Sequence, residues 1–209
     1  NIVCGWFRHE FEMFAAEWRQ HDVRYEYAAE WLEFVQRIWR EDKALDFDGE
    51  YFSAKQVWSE PKPLQTPSLP IMNAGGSPAG QKFAATHADM NFVILKEREM
   101  AAGKAQIDSL KSMARDAGRN IQSWIHVYVV CRDTEAEARD YLNHYVVEKG
   151  DDAAVANMLD MFGVQSETLT PDGIEDFKFH FKAGHGGYPL VGTPEQIVES
   201  IERLSRLGV

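Results

Sequence analysis

The stretch Pro70-Ile71-Met72-Asn73-Ala74-Gly75-Gly76-Ser77-Pro78-Ala79-Gly80 decides the fold, because it joins a short apolar strand directly to the start of a helix. Glycines let the backbone turn sharply and bring its N–H groups close to a ligand. Ser77 suits the N-cap position and Pro78 the first helical position, so two residues mark where the helix begins. A helix N-terminus behind glycines attracts a phosphate group, although an ordinary strand-to-helix turn has the same features.

Strand and helix patterns alternate along the chain on both sides of this stretch. Strands are predicted near residues 1–5, 69–74, 90–95 and 123–131. Helices are predicted at 24–39, 78–87 and 99–117, and after capping boxes at 134–137 and 193–196. Such alternation is typical of parallel βα units with both faces of the sheet covered. Because the chain starts inside one strand pattern and stops where another would begin, we expect an α/β fold that is part of a larger barrel.

Two segments interrupt the alternation. Residues 46–52 contain the turn signal Asp48-Gly49 and predict a small hairpin. Residues 147–192 combine extra helix with polar turns and the run Gly184-His185-Gly186-Gly187. We interpret this range as an insertion that carries a mobile lid, within a single domain spanning residues 1–209.

Composition narrows the class of protein. The net charge of −11 argues against nucleic acid as a partner, because Lys and Arg drive phosphate-backbone binding. No apolar run approaches the roughly 20 residues of a membrane-spanning helix, and from the absence of a basic n-region at Asn1-Ile2-Val3 we expect no signal peptide. The two cysteines, Cys4 and Cys131, lie far apart, and the histidines are not spaced like metal ligands. We therefore expect a cytoplasmic protein with reduced thiols, no metal, and no nucleic-acid or membrane partner.

Six short motifs follow one another along nearly the whole chain. They are Asn1-Ile2-Val3-Cys4-Gly5-Trp6, His21-Asp22-Val23-Arg24-Tyr25, Phe47-Asp48-Gly49-Glu50-Tyr51-Phe52, Ala74-Gly75-Gly76-Ser77, His87-Ala88-Asp89 and Leu190-Val191-Gly192-Thr193-Pro194. Their order and spacing resemble the bacterial luciferase-like flavin monooxygenases, whose fold is a TIM-type (β/α)8 barrel with a late insertion. The resemblance implies an incomplete barrel that lacks the early strands and the last strand. Gly76-Ser77-Pro78-Ala79-Gly80 and Gly186-Gly187-Tyr188-Pro189 are most similar to the branch that acts on dimethylsulfone.

The resemblance implies an activity as well as a fold. Reduced FMN (FMNH2), delivered by a separate NADH-dependent flavin reductase, would activate O2 to cleave a C–S bond of a small organosulfur substrate such as dimethylsulfone. The family's enzymes lead us to expect a homo-oligomer. Three reactions of the same family remain open alternatives: alkanesulfonate desulfonation, pyrimidine ring opening and hydride transfer with deazaflavin F420. A non-catalytic flavin-binding fragment is an alternative of a different class.

Seven residues are the candidate cofactor ligands by this resemblance: Asn1, Glu10, Arg24, Tyr25, Gly75, Gly76 and Ser77. The permanent charge and several N–H donors of a guanidinium suit a phosphate dianion, which favours Arg24 in an otherwise acidic chain. Three of these candidates also have a purely structural interpretation. Ser77 could act only as a helix cap, Arg24 as a solvated side chain at a helix start, and Glu10 as a surface carboxylate.

The candidate catalytic residues are His126 and Tyr128, which share one face of the predicted strand 123–131 because side chains alternate along a strand. By the resemblance, the alkanesulfonate branch carries Arg and His here to contact a charged sulfonate. A neutral sulfone needs hydrogen-bond donors more than a full charge. Two satisfied polar residues in a barrel core are the alternative. His185 and Lys182 belong to the expected lid, which would keep water away from a reduced flavin.

Overall fold

A computed structural model describes residues 1–95, 100–161 and 171–209 of the chain. Its contacts divide it into two compact units, described separately below. The first unit contains Asn1–Asn91 and Leu110–Gln122, and the second contains Phe92–Ser109 and Ser123–Val209. The boundary therefore passes through a strand, a helix and a second strand rather than through a linker. Within the described ranges, no helix is long and apolar enough to cross a membrane.

Two helices and a hairpin form the N-terminal part of the first unit. The short helix α1 (Arg8–Met13) is followed by α2 (His21–Arg40), which buries Ala28 and Leu32. Strands β1 (Leu45–Asp48) and β2 (Ser53–Val57) then pair antiparallel, which confirms the predicted hairpin. The carboxylate of Glu30 on α2 accepts hydrogen bonds from three successive backbone N–H groups of the hairpin loop, at residues 50–52. Strand pairing leaves these loop N–H groups without acceptors, and the Glu30 carboxylate supplies them. The three hydrogen bonds therefore hold the hairpin loop against α2.

The opening stretch folds as a very short strand, a turn and a helix. Strand β3 contains only Met72–Asn73, and α3 runs from Pro78 to His87 with the Ser77 hydroxyl accepting the Gly80 N–H at 3.1 Å. The bounds predicted for this helix are confirmed, and so are its cap and its proline. Strand β4 (Met90–Val93) pairs parallel with β3, with Met72 opposite Met90 and Asn73 opposite Asn91.

The predicted strand at residues 1–5 was wrong in its extent. Only Ile2 makes a strand-like contact, an isolated parallel bridge to Asn73. The Ile2 N–H donates to the Met72 carbonyl oxygen at 2.8 Å. Gly5 then turns the backbone away at φ +82°, which ends the extended conformation. The prediction for 69–74 was also too long, since Pro70 has no N–H to donate and the Ile71 N–H donates to the Asp89 carboxylate instead of to a strand.

The predicted strand 123–131 was wrong in being continuous. Helix α4 (Met100–Asp116) leads to two strands, β5 (Gln122–Ile125) and β6 (Val127–Cys131), and His126 lies in the break between them. Strand β5 belongs to a three-stranded sheet of order β3-β4-β5, whereas β6 pairs elsewhere. The end of α4 is confirmed, since Gly118 has φ +72° just beyond it. The first residue of the predicted helix 99–117 lies outside the described residues.

The C-terminal part of the second unit contains most of its helices. They are α5 (Glu135–Asn143), a π-helical turn (His144–Glu148), α6 (Asp152–Met161), α7 (Pro171–Gly184) and α8 (Pro194–Ser205). The capping boxes at Thr134 and Thr193 are both confirmed by reciprocal hydrogen bonds. Strand β7 (Tyr188–Gly192) was not predicted, because the sequence assigned its residues to the insertion. It pairs parallel with β6, from Val127 opposite Tyr188 to Cys131 opposite Gly192.

Two apolar clusters hold the second unit together. One joins α4, β7 and α8 through buried Ile107, Leu190, Ile197, Leu204 and Leu207. The other joins β6, α5, the π-helical turn and α7 through Tyr128, Val130, Ala138, Val146 and Ala183. Along β6, Tyr128 and Val130 belong to the second cluster, whereas Val127 and Cys131 pack against the first; Val129, on the same face as those two, is 54% exposed. This alternation places Tyr128 on the side of α7.

Candidate functional site

A cavity of about 630 Å³ lies within the first unit. It is lined by residues of the N-terminal segment and of α2, including Asn1, Cys4, Glu10, Arg19 and Arg24. Its size is in the usual range for small-molecule sites. Three of the seven predicted cofactor residues (Asn1, Glu10 and Arg24) therefore line one cavity, although they are up to 23 positions apart in the sequence.

Arg24 is held in this cavity by stacking. Its guanidinium carbon lies 4.0 Å from the centre of the Trp18 ring. The Nε and Nη1 atoms are both buried, and neither has a hydrogen-bond partner in the described part of the chain. A buried guanidinium whose donors lack acceptors is costly, and a bound anion is the usual remedy. The site therefore fits a phosphate group.

The Cys4 thiol lines the same cavity, and both burial and the charge of Arg24 affect its pKa. Burial raises its pKa to about 11, although the positive charge of Arg24 acts in the opposite direction. The thiol is thus neutral at physiological pH and does not compensate the arginine. A negative charge for Arg24 has to come from another group.

Arg19 lines the same cavity but contacts a carboxylate and two aromatic rings. Its Nη2 atom lies 2.8 Å from a carboxylate oxygen of Glu17. Its guanidinium carbon lies 5.0 Å from the centre of the Tyr27 ring and 5.4 Å from that of Tyr51. Of these two arginines, Arg24 is therefore the better candidate for an anion from outside the protein.

Tyr25 contacts the glycine turn rather than the cavity lining. A Cβ atom built on Gly75 would lie 2.6 Å from the Gly80 Cα, 2.9 Å from the Asn73 Oδ1 and 3.0 Å from the Tyr25 hydroxyl oxygen. The first two distances are shorter than real Cβ atoms show, and the third is tighter than most Cβ contacts. Glycine at position 75 is thus required for the close packing of the turn, the helix start and Tyr25.

Asn73 connects the turn to the N-terminal segment, a role that the sequence reasoning missed. Its amide Nδ2 donates to the Ile2 carbonyl oxygen at 2.9 Å, and its Oδ1 accepts the Gly75 N–H at 2.8 Å. The side chain is 1% exposed. The signal was available, since Asn two residues before a glycine favours this kind of side-chain turn.

Gly76 and Ser77 have different surroundings from Gly75. Within the described residues, a Cβ on Gly76 would meet no atom within 4 Å. Protein packing therefore does not require glycine at position 76, whereas a ligand approaching the backbone would. Ser77 caps α3, so the positive end of this helix dipole lies directly behind the two glycines.

The two predicted catalytic residues, His126 and Tyr128, both contact the end of α7 in the second unit. The ring centres of His126 and His185 are 6.4 Å apart, and the Tyr128 hydroxyl lies 2.9 Å from the Nδ1 of His180. A Cβ on Gly184 would collide with the Tyr128 side chain, so glycine allows the helix to approach this closely. Tyr128 itself is 8% exposed.

His180 is the second residue that the sequence reasoning missed. While its Nδ1 meets Tyr128, its Nε2 lies 3.5 Å from a carboxylate oxygen of Asp176, one helical turn earlier on α7. A hydroxyl, an imidazole and a carboxylate in this order can hold or pass a proton. The spacing of Asp176 and His180, four apart on a helix, was the available signal.

Helix α7 ends in the glycine run 184–187 of the expected lid. The His185 N–H donates to the Phe181 carbonyl oxygen, and the Gly186 N–H donates to that of His180. Gly186 has φ +76°, as such helix ends require. Lys182 forms an ion pair with Asp152, with 2.7 Å between Nζ and Oδ1. Movement of this segment stays a prediction.

The described residues contain no group of three His, Cys, Asp or Glu side chains that could hold a metal ion.

Comparisons with known proteins extend this description. The family model for luciferase-like monooxygenases matches residues 1–209. An FMNH2-dependent dimethylsulfone monooxygenase of Pseudomonas putida is 31% identical over 223 aligned residues, which cover 100% of this chain and 58% of that protein. The pyrimidine monooxygenase RutA of Cronobacter sakazakii is 32% identical over 149 residues, which cover 69% of this chain and 43% of RutA. The chain thus spans little more than half the length of the first relative.

Solved structures show the same fold. A crystal structure of the riboflavin lyase RcaE with modified FMN and the substrate riboflavin superposes with a TM-score of 0.80 at 19% identity. The match covers 95% of this chain and 54% of that one. The family resemblance read from the motifs is confirmed, and so is the α/β fold of a partial TIM-type barrel.

Proposed function

This chain belongs to the luciferase-like monooxygenase family, and from that premise we propose that it binds the phosphate end of FMN through its first unit. The observation that carries the proposal is the Arg24 guanidinium, of which Nε and Nη1 are buried without an acceptor in the described chain. Arg24 supplies the positive charge, and the start of α3 supplies backbone N–H groups behind Gly75 and Gly76. Ser77 adds a hydroxyl at the same turn.

The other predicted cofactor residues take secondary roles in this proposal. Asn1 lines the cavity and offers an amide to the polar edge of the flavin, and Glu10 lines the same cavity. Tyr25 packs on Gly75 and keeps the turn in place. When bound, reduced FMN supplies the chemistry, which is the activation of O2.

We further propose that the substrate is a small organosulfur compound such as dimethylsulfone. The support is the FMNH2-dependent dimethylsulfone monooxygenase, which aligns with the whole of this chain. His126 and Tyr128 donate hydrogen bonds to a neutral sulfone, and the Tyr128–His180–Asp176 series holds or returns a proton. Overall, dimethylsulfone, O2 and FMNH2 would give methanesulfinate, formaldehyde, water and FMN. A separate NADH-dependent reductase in the cytoplasm would supply the reduced flavin. We also propose that the enzyme is a homo-oligomer.

Flavin binding is tested by titrating FMN into the wild-type chain and into Arg24→Gln and Ser77→Ala, with flavin fluorescence as the signal. We expect Arg24→Gln to weaken FMN binding at least tenfold, since it removes a charge-assisted contact, and Ser77→Ala to weaken it a few-fold. Arg19→Gln is the matched control, because Arg19 is engaged by Glu17 and should not affect affinity. Unchanged affinity in both test variants would falsify the phosphate assignment.

The substrate is tested with a panel in the presence of a flavin reductase, NADH and FMN. Formaldehyde and methanesulfinate from dimethylsulfone would support the sulfone proposal. Sulfite released from alkanesulfonates would replace it with desulfonation. Ring opening of uracil would favour the chemistry of the second relative, the pyrimidine monooxygenase RutA.

A further inference from the structure

Trp18 has a specific relation to the candidate phosphate ligand. Its ring face lies against the Arg24 guanidinium, with 4.0 Å between the guanidinium carbon and the ring centre. The ring of Phe11 packs edge-on against Trp18, with centres 4.9 Å apart and an interplanar angle of 79°. The tryptophan thus lies between a hydrophobic support and a cation.

The support under Trp18 depends on the turn at Gly5. This residue has φ +82°, and a Cβ atom there would collide with the ring of Phe11. Glycine therefore allows Phe11 to pack beneath the N-terminal segment, and Phe11 in turn fixes the edge of Trp18. The contacts Gly5–Phe11–Trp18–Arg24 form a series that ends at the cavity, which both Gly5 and Arg24 line.

Stacking and hydrogen bonding use different parts of a guanidinium. An aromatic ring takes its flat face, whereas acceptors bind its N–H groups around the edge. Trp18 can therefore fix the plane of Arg24 without using its donors. The contrast with Arg19 is direct, because Glu17 already occupies a nitrogen at the edge of that guanidinium.

Building on the proposed function, we propose that Trp18 is a positioning residue that presents Arg24 to the phosphate of the flavin. Its role is to favour flavins that carry a phosphomonoester over those that do not. A pre-oriented guanidinium loses less rotamer freedom when the anion binds, and this gain applies only to a ligand with the anion. The comparison of FMN with riboflavin, which lacks the phosphate, isolates the effect.

The experiment measures the dissociation constants of oxidised FMN and riboflavin for wild-type chain, Trp18→Leu and Trp18→Phe by flavin fluorescence. We expect Trp18→Leu to weaken FMN binding about tenfold and to leave riboflavin binding unchanged, so that the ratio of the two constants falls about tenfold. Trp18→Phe, which keeps a ring face, should recover part of the ratio.

Trp58→Leu is the matched control. The Trp58 ring also stacks on a cation, with the Nζ of Lys62 4.1 Å from its centre, but Lys62, unlike Arg24, does not line the cavity. This variant should keep the wild-type ratio. Circular dichroism of all variants checks folding; if Trp18→Leu does not fold, the comparison of Trp18→Phe with wild type decides, and an unchanged ratio there overturns the proposal.

Failure of this inference is distinguishable from failure of the proposed function. If Arg24→Gln lowers the FMN-to-riboflavin preference and Trp18→Leu does not, the phosphate site stands and the positioning role is wrong. If neither variant changes the preference, both are wrong. Equal weakening of FMN and riboflavin in Trp18→Leu would show a merely structural role and would also overturn the proposal.

Discussion

The two compact units present their polar groups in opposite ways. In the first unit, Arg24 has two buried guanidinium nitrogens without an acceptor among the described residues. In the second, the Tyr128 hydroxyl meets His180, and His180 meets Asp176. A cation whose donors lack acceptors is arranged for a ligand that comes from outside, whereas polar groups that contact one another also stabilise the protein without a ligand.

This difference has an energetic basis. A buried charge without a counter-charge costs free energy in the ligand-free protein, and binding an anion recovers it. A satisfied polar series stabilises the ligand-free protein, and removing one member leaves the others with fewer partners. The cost of a substitution should therefore depend on which unit it falls in. Three experiments examine this contrast.

The largest expected effect is on the reactivity of Cys4. A shift of the thiol pKa from 9.0 to about 11 lowers the thiolate fraction at pH 8 about 100-fold. We expect alkylation of Cys4 by iodoacetamide at pH 8 to be slower than that of a free thiol by about this factor. Mass spectrometry of peptides from the labelled chain measures the rate.

The alkylation rate of Cys4 also tests whether the charge of Arg24 lies close to the thiol. Because Arg24 acts to lower the thiol pKa, Arg24→Gln should slow alkylation further, whereas Arg19→Gln serves as control. Rapid labelling of Cys4 in the folded protein, at the rate of a free thiol, would show that the first unit does not bury this region.

The second effect is on stability through the Tyr128–His180 hydrogen bond. His180→Ala should lower the free energy of unfolding by about 1–3 kcal/mol, since it removes a partner of a buried hydroxyl and leaves a cavity. Chemical denaturation followed by circular dichroism measures the change. A double-mutant cycle with Tyr128→Phe isolates the pair and should give a coupling of at least about 0.5 kcal/mol. Strictly additive losses would indicate that the two side chains do not stabilise each other.

The smallest effect is expected for Arg24→Gln in ligand-free protein. Loss of the stacking contact with Trp18 and relief of the buried charge oppose each other, so the free energy of unfolding should change by less than about 0.5 kcal/mol. Arg19→Gln should cost more, because it breaks an ion pair and two ring contacts. The reverse order in thermal melts without flavin would contradict the assignment of Arg24 to an external ligand.

Local signals predicted the capped helix starts well and the strands poorly, while they missed α1 and placed the start of α2 at Arg24 instead of His21. Ser77 and Pro78 define the start of α3 in the sequence and in the structure, and both capping boxes form. These features depend on residues within one helical turn of each other. The strands were wrong in extent because pairing depends on partners far along the chain. Ile2 pairs only where Asn73 reaches it, and the break at His126 arises because β5 and β6 join different partners.

The candidate site shows the same division. The motifs identified Arg24, Tyr25 and the glycine turn, since these residues occur together in short recognisable segments. They did not indicate Trp18, Asn73 or His180. Local spacing gives part of the signal for Asn73 and His180, but their contacts with Ile2 and Tyr128 join residues 71 and 52 positions apart, which no local pattern encodes.

By itself the sequence determined the family, the bounds of α3, the capped starts of α5 and α8 and the glycines that a tight turn needs, because each depends on neighbouring residues or on a preserved order of motifs. Only the tertiary structure decided which polar groups have partners. Arg24 and Arg19 are the same residue type, five positions apart and lining one cavity, yet among the described residues a carboxylate engages Arg19 and not Arg24. The reason is physical: whether a charge is compensated depends on the atoms within a few ångströms of it, and folding alone brings those atoms there.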